Sequence, residues 1–256
     1  MSRADFLLYR RMRGIFWGLL VIGLVGAPAL LVTGVGIAVN TDAVTEGLRD
    51  DVGRPGDLMA LGIGMGGFVG LIAAVILGAT AGSVDHQRGV LRDLVLAGRA
   101  RWRIVVGRLA AGAAWLLLAM AVSFAACVAL GLALAPIDAD VDWEEVLRMS
   151  ATFGYSIFYT MPFAAGVALL VGSRGPAIAV FFAVAFVLDG VLSSIPKVSE
   201  WWQEVSLLQS STTVDALIGE PGATLDGDAW RAIAVVAGWA IIPFVLGLVR
   251  LTRRDL

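Results

Sequence analysis

The sequence predicts an all-α integral membrane protein with six transmembrane helices, an N-terminal interfacial helix and a short cytoplasmic helix between spans two and three. Three observations carry that reading. The 256 residues are 59% hydrophobic and only 16% charged, against about 25% charged in an ordinary soluble domain. The apolar residues gather into six runs, 14–39, 58–82, 104–135, 149–172, 176–195 and 232–249, each long enough for a helix of about 20 residues to cross a bilayer. The alternating ten-residue segments of an outer-membrane barrel are absent, so backbone hydrogen bonds within lipid have to be closed by helices.

The elements follow in chain order. In residues 2–13, Phe6, Leu7, Tyr9 and Met12 stand among Arg3, Arg10, Arg11 and Arg13. That spacing suits an amphipathic helix lying on the cytoplasmic membrane surface, with a basic lead-in that only sets topology as the alternative. Ala27-Pro28-Ala29 resembles a peptidase site, but the apolar run continues to Val39, so a retained first helix is expected. In the second span small residues recur every fourth position, Gly62, Gly66, Gly70, Ala74, Gly78 and Gly82, a ridge that lets helix backbones approach closely. Gly62-x-Gly64-x-x-Gly67 matches a dinucleotide-binding spacing, but it follows no strand and has no acidic partner downstream.

The third span contains Arg108 and the sole cysteine, Cys127, which excludes an intramolecular disulfide. Asp138-x-Asp140-x-Asp142 resembles half a calcium loop, yet Trp143 replaces the needed glycine and Met149 the closing glutamate, so a solvated acidic loop is expected. Asp189 is the one acid inside a span, thirteen residues after Pro176 and hence about 20 Å along that helix. It is a candidate pathway residue, with pairing to a neighbour or water as the alternative. The outer segment 193–228 is too polar to span. Its Trp201 and Trp202 are candidates for an outer gate, with an interfacial aromatic belt as the plainer reading.

The net charge of −2 conceals a strong asymmetry. Assigning the loops alternately to the two sides puts Arg3, Arg10, Arg11, Arg13, Arg88, Arg92, Arg99, Arg101, Arg103, Arg108, Arg174, Arg250, Arg253 and Arg254 on one side. The other side holds Arg49, Arg54, Arg148, Lys197 and Arg231 with most of the acids. The positive-inside rule then predicts a multi-pass protein of the cell (inner or plasma) membrane with both termini cytoplasmic.

The inventory also excludes familiar chemistry. A P-loop ends in lysine followed by serine or threonine, but the only lysine is Lys197, in Ile-Pro-Lys-Val on the outer side. With His86 as the sole histidine, a two-histidine zinc-peptidase motif is impossible, and no catalytic residues are assigned.

The most informative stretch links spans two and three, SVDHQRGVLRDLVLAGRARWRIVVGR from Ser83 to Arg108. Val90, Leu91, Leu94 and Val95 fall on one side of a helix, Arg88, Arg92 and Asp93 flank them, and Gly98 marks its end. By spacing alone this is either a helix that meets a cytoplasmic partner or one that anchors two spans at the lipid headgroups.

This stretch resembles the permease subunits of type-2 ATP-binding-cassette (ABC) exporters, whose link carries an acid, then Gly-Thr-Leu, Pro-x-x-Arg and Gly-Lys. Asp85 looks like the acid, Gly89-Val90-Leu91 like Gly-Thr-Leu, Gly98-x-x-Arg101 like Pro-x-x-Arg, and Gly107-Arg108 like Gly-Lys. Val90 and Gly98 depart from the pattern, while the spacing is kept. The resemblance extends to the interfacial helix, six spans and the closing Arg253-Arg254-Asp255-Leu256.

It implies that 83–103 is a cytoplasmic coupling helix docking on a separate ABC ATPase, with Asp85, Arg88, Gly89, Leu91, Leu94 and Arg101 as coupling candidates. It further implies two ATPase copies, which bind the ATP and magnesium, and a second permease chain forming a homodimer or heterodimer among membrane lipids. This chain itself is expected to bind no cofactor or metal, and no nucleic acid is among the expected partners. Transport would proceed by alternating access, with a hydrophobic small molecule, peptide or lipid as substrate. The rival readings are a stand-alone secondary transporter using Asp189 and a membrane enzyme. Neither finds the internal repeat, or the polar cluster at one depth, that it would need.

Overall fold

The computed structural model describes residues 55–88, 100–134, 143–184 and 227–253, and among them every regular element is helical. The helices are α1 (Pro55–Arg88), α2 (Arg101–Leu134), α3 (Trp143–Val171), α4 (Arg174–Phe182) and α5 (Gly227–Arg253). Three of them, through Gly66–Ser83, Arg101–Ala133 and Ala234–Arg253, are long and apolar enough to cross a membrane, and Ile157–Val171 is a shorter apolar stretch. The first predicted span, the interfacial helix and most of the fifth span lie outside the described residues.

The helices overrun the hydropathy boundaries. α1 and α2 have 34 residues each, about 50 Å at 1.5 Å per residue and more than the ~30 Å hydrocarbon core. α1 therefore continues past the second apolar run through Asp85 to Arg88, so the first residues of the link form the last turn of that membrane helix. α3 likewise begins at Trp143, ahead of its apolar run, with the exposed Glu144 in its first turn.

Packing divides the described residues into two units, one holding 74–88, 100–113, 156–184 and 227–253, the other 55–73, 114–134 and 143–155. The second unit is centred on buried Met59 and Ile63 of α1, Cys127 of α2 and Val146 of α3, with Phe124 and Val128 against them. Two glycines accommodate methionines there. A Cβ at Gly131 would meet the Met59 side chain, and one at Gly70 would sit 2.8 Å from Met120 Sδ, so flexible thioethers occupy what a larger residue would fill.

In the first unit α1 packs on α3 through small residues. A Cβ at Gly78 would meet the Met161 carbonyl and lie 3.1 Å from Ala164 Cβ, and one at Gly82 would meet the Ala165 carbonyl and lie 3.0 Å from Ala168 Cβ. Two glycines four apart thus face two alanines four apart, an arrangement that draws its stability from close van der Waals contact where lipid supplies no hydrophobic drive. Thr80 and Ser83 donate back to the Ile76 and Ala79 carbonyls at 2.6 and 2.8 Å, keeping their hydroxyls satisfied within the helix. Buried Thr160 Oγ1 of α3 finds no partner among the described residues.

α3 ends at a left-handed glycine, Gly172 (φ +82°), whose N–H donates to the Ala168 carbonyl at 2.7 Å. Extended Ser173 then leads directly into α4, which folds back on α3. Ala177 and Phe181 bury against Phe163, Ala164, Val167 and Ala168, and the Phe163 and Phe181 rings meet edge to face at 5.7 Å.

Candidate coupling site at the exit of the link

The link re-enters the bundle at α2, whose first turn is Arg101, Trp102 and Arg103. Ala100 precedes it, and its carbonyl accepts from the Arg103 and Ile104 N–H groups at 3.0 and 3.4 Å. Alanine offers no capping oxygen, and the first turn contains no acid. Arginines at this end stand against the helix's own dipole, which favours negative charge there. Their stabilisation has to come from elsewhere.

For Arg101 it comes from α5. Half-buried Arg101 donates from Nη1 to the Leu251 carbonyl at 3.0 Å and toward the Thr252 carbonyl at 3.3 Å. These are last-turn acceptors that α5 cannot satisfy internally, at the helix end where a cation is favoured. Thr252 Oγ1 donates within α5 to the Val249 carbonyl at 2.9 Å. From the same last turn of α5, Arg250 Nη1 donates to the Leu170 carbonyl in the last turn of α3. Arginines from α2 and α5 therefore cap the C-terminal ends of α5 and α3 respectively.

Beneath the arginines the same three helix ends share an apolar cluster: Ile104 and Val105 of α2, Leu169 of α3 and Leu251 of α5, with Phe244 and Leu248 against them. α3 and α5 cross with almost no side chain between them. A Cβ at Gly166 would run into Pro243 and the Phe244 nitrogen, and one at Gly247 would lie 2.8 Å from both the Gly166 carbonyl oxygen and Leu169 Cβ. At the rim, the Arg103 guanidinium lies 5.3 Å from the centroid of the exposed Trp102 ring, a cation–π pair with the amphipathic character of a membrane interface. Two turns further along α2, Arg108 is 6% exposed, turned into protein as charges at membrane depth are.

The sequence candidates are distributed unevenly around this junction. Arg101 lies within it. Asp85 and Arg88 occupy the last turn of α1, while Gly89, Leu91 and Leu94 lie outside the described residues, as do Asp189, Trp201 and Trp202. Gly62, Gly66, Gly70 and Gly78 are all buried on α1. Among the described residues no cluster of His, Cys, Asp or Glu is arranged to hold a metal. Arg250, Gly166, Pro243 and Gly247 were not singled out by the sequence. The signal that bears on Arg250 is a basic residue in a last helical turn, and it does not name the neighbouring helix that the side chain reaches.

No curated protein and no solved structure matches the chain. The family profile described as "ABC-2 family transporter protein" matches residues 10–256, nearly the whole chain including the link, the junction and all five described helices. The chain therefore belongs to the ABC-2 transporter family.

Proposed function

We propose that this multi-pass membrane component of an ABC transporter is the permease subunit of an exporter. It moves a hydrophobic small molecule, peptide or lipid out of the cytoplasm or inner leaflet by alternating access. Two permease chains and two copies of a cytoplasmic ATPase make up the transporter, with both termini of this chain on the cytoplasmic side. The observation that carries the reading is the junction at the link exit, where Arg101 ties the start of α2 to the end of α5. A link that receives force from an ATPase needs such an attachment to the membrane helices.

Alternating access needs discrete rearrangements of packed helices, and this bundle has close glycine-lined crossings at which helices meet as rigid surfaces. Asp85, Arg88, Gly89, Leu91 and Leu94 present the link to the ATPase, and Asp189, Trp201 and Trp202 belong to the pathway or its outer mouth. The test is Leu94→Asp, which places a charge in the apolar stripe of the link. The variant is expected to insert normally and to lose transport-coupled stimulation of the ATPase. A Leu94→Asp complex that remains fully stimulated and transport-competent would remove the docking role from this helix.

A further inference from the structure

The geometry points to Arg101 and Arg250 as positioning residues that carry displacement of the link into α5 and from α5 into α3. The inference rests on the proposed function, because it takes the link as the segment that the ATPase moves. Its ground is the serial order of the two contacts. Arg101 leaves the first turn of α2 and holds the Leu251 and Thr252 carbonyls of α5, and Arg250 leaves that same end of α5 and holds the Leu170 carbonyl of α3. Each guanidinium grips a helix end by a backbone acceptor, so what it transmits is movement of the helix axis rather than of a side chain.

Two further observations make these contacts stiff. Ile104, Val105, Leu169 and Leu251 pack together beneath them. At the Gly166, Pro243 and Gly247 crossing the backbones of α3 and α5 come into direct contact, and close-packed interiors pass strain on rather than damping it. Lysine would keep the charge at position 101 but presents it as a strongly hydrated ammonium on a flexible stem, in place of the pre-organised guanidinium whose Nη1 reaches both carbonyls.

The experiment uses the full chain purified with its ATPase in lipid nanodiscs. It follows hydrogen–deuterium exchange in residues 83–103, 244–253 and 161–172 with and without ATP and orthovanadate. In the wild type all three segments are expected to respond to nucleotide. Arg101→Gln should keep the response of the link and lose it in both α5 and α3, Arg101→Lys should restore part of it, and Arg250→Ala should lose only the response of α3. Responses in α5 and α3 that persist in the double variant Arg101→Gln/Arg250→Ala would overturn the relay, as would loss of the link's own response in Arg101→Gln, which would place that residue in docking. Should Arg101→Gln fail to assemble, Arg250→Ala and Arg101→Lys still decide between these outcomes. A wild-type link that ignores nucleotide, or a chain that purifies with no ATPase, would instead overturn the proposed function and the relay with it.

Discussion

Gly166 shows how little separates α3 from α5. A Cβ there would press on the Pro243 carbonyl group and the Phe244 nitrogen, which are backbone atoms that cannot rotate away. Gly166→Ala is therefore expected to force the helices apart and to cost about 1–3 kcal/mol, the usual range for overpacking a tight interior. Gly154 is the control on the same helix, since a Cβ there meets nothing within 4 Å. Gly154→Ala removes only backbone freedom, and it should leave stability unchanged or raise it by about 0.5–1 kcal/mol. Thermal unfolding of the two variants in the same detergent checks this. Equal midpoints would mean that the crossing is not the tight contact described.

At the scale of elements, the α3–α4 hairpin depends on one aromatic cluster. Phe163 meets Phe181 at 5.7 Å and Trp239 of α5 at 5.9 Å, so it joins three helices. In a water-soluble core, Phe→Ala costs about 3–5 kcal/mol. Within a bilayer the hydrophobic part of that cost falls away, because lipid replaces protein as an equally apolar neighbour. Phe163→Ala is expected to destabilise by less than ~3 kcal/mol but clearly more than Val180→Ala, whose side chain on α4 faces outward. Thermal unfolding ranks the pair, and a Val180→Ala loss as large as that of Phe163→Ala would contradict the assignment of the hairpin's buried face.

Helix type was legible in the sequence because apolar runs of this length admit only helices. The ends were not. Hydropathy stops where side chains become polar, but the backbone of α1 continues through Asp85 to Arg88, since a membrane helix need not end where the lipid does. Nor was the junction legible beyond Arg101, which its place in the link motif singled out. The Gly166–Pro243 crossing and the Arg250–Leu170 contact join residues about 80 positions apart, and such pairings leave no mark in local periodicity or charge.

For the molecule as a whole, burial separates the roles of the spans. Within the spanning windows 72% of α1 is buried, against 28% of α2 and 22% of α5. α1 is thus an interior helix, while the others turn apolar residues outward, such as Leu118 and Val122 of α2 or Ile241, Ile242 and Leu246 of α5. Water would penalise such faces as large exposed patches, and lipid covers them without cost. Membership of the ABC-2 transporter family makes the chain a membrane transport component that works with a partner ATPase.

The most direct measurement is affinity purification of the tagged chain from its native host in mild detergent, with mass spectrometry of the co-purifying proteins and an ATPase assay on the eluate. The account predicts a roughly equimolar P-loop ATPase whose activity in the eluate loses its transport-coupled stimulation in Leu94→Asp. Recovery of the intact chain alone from several detergents, with no ATPase and no activity, would contradict it.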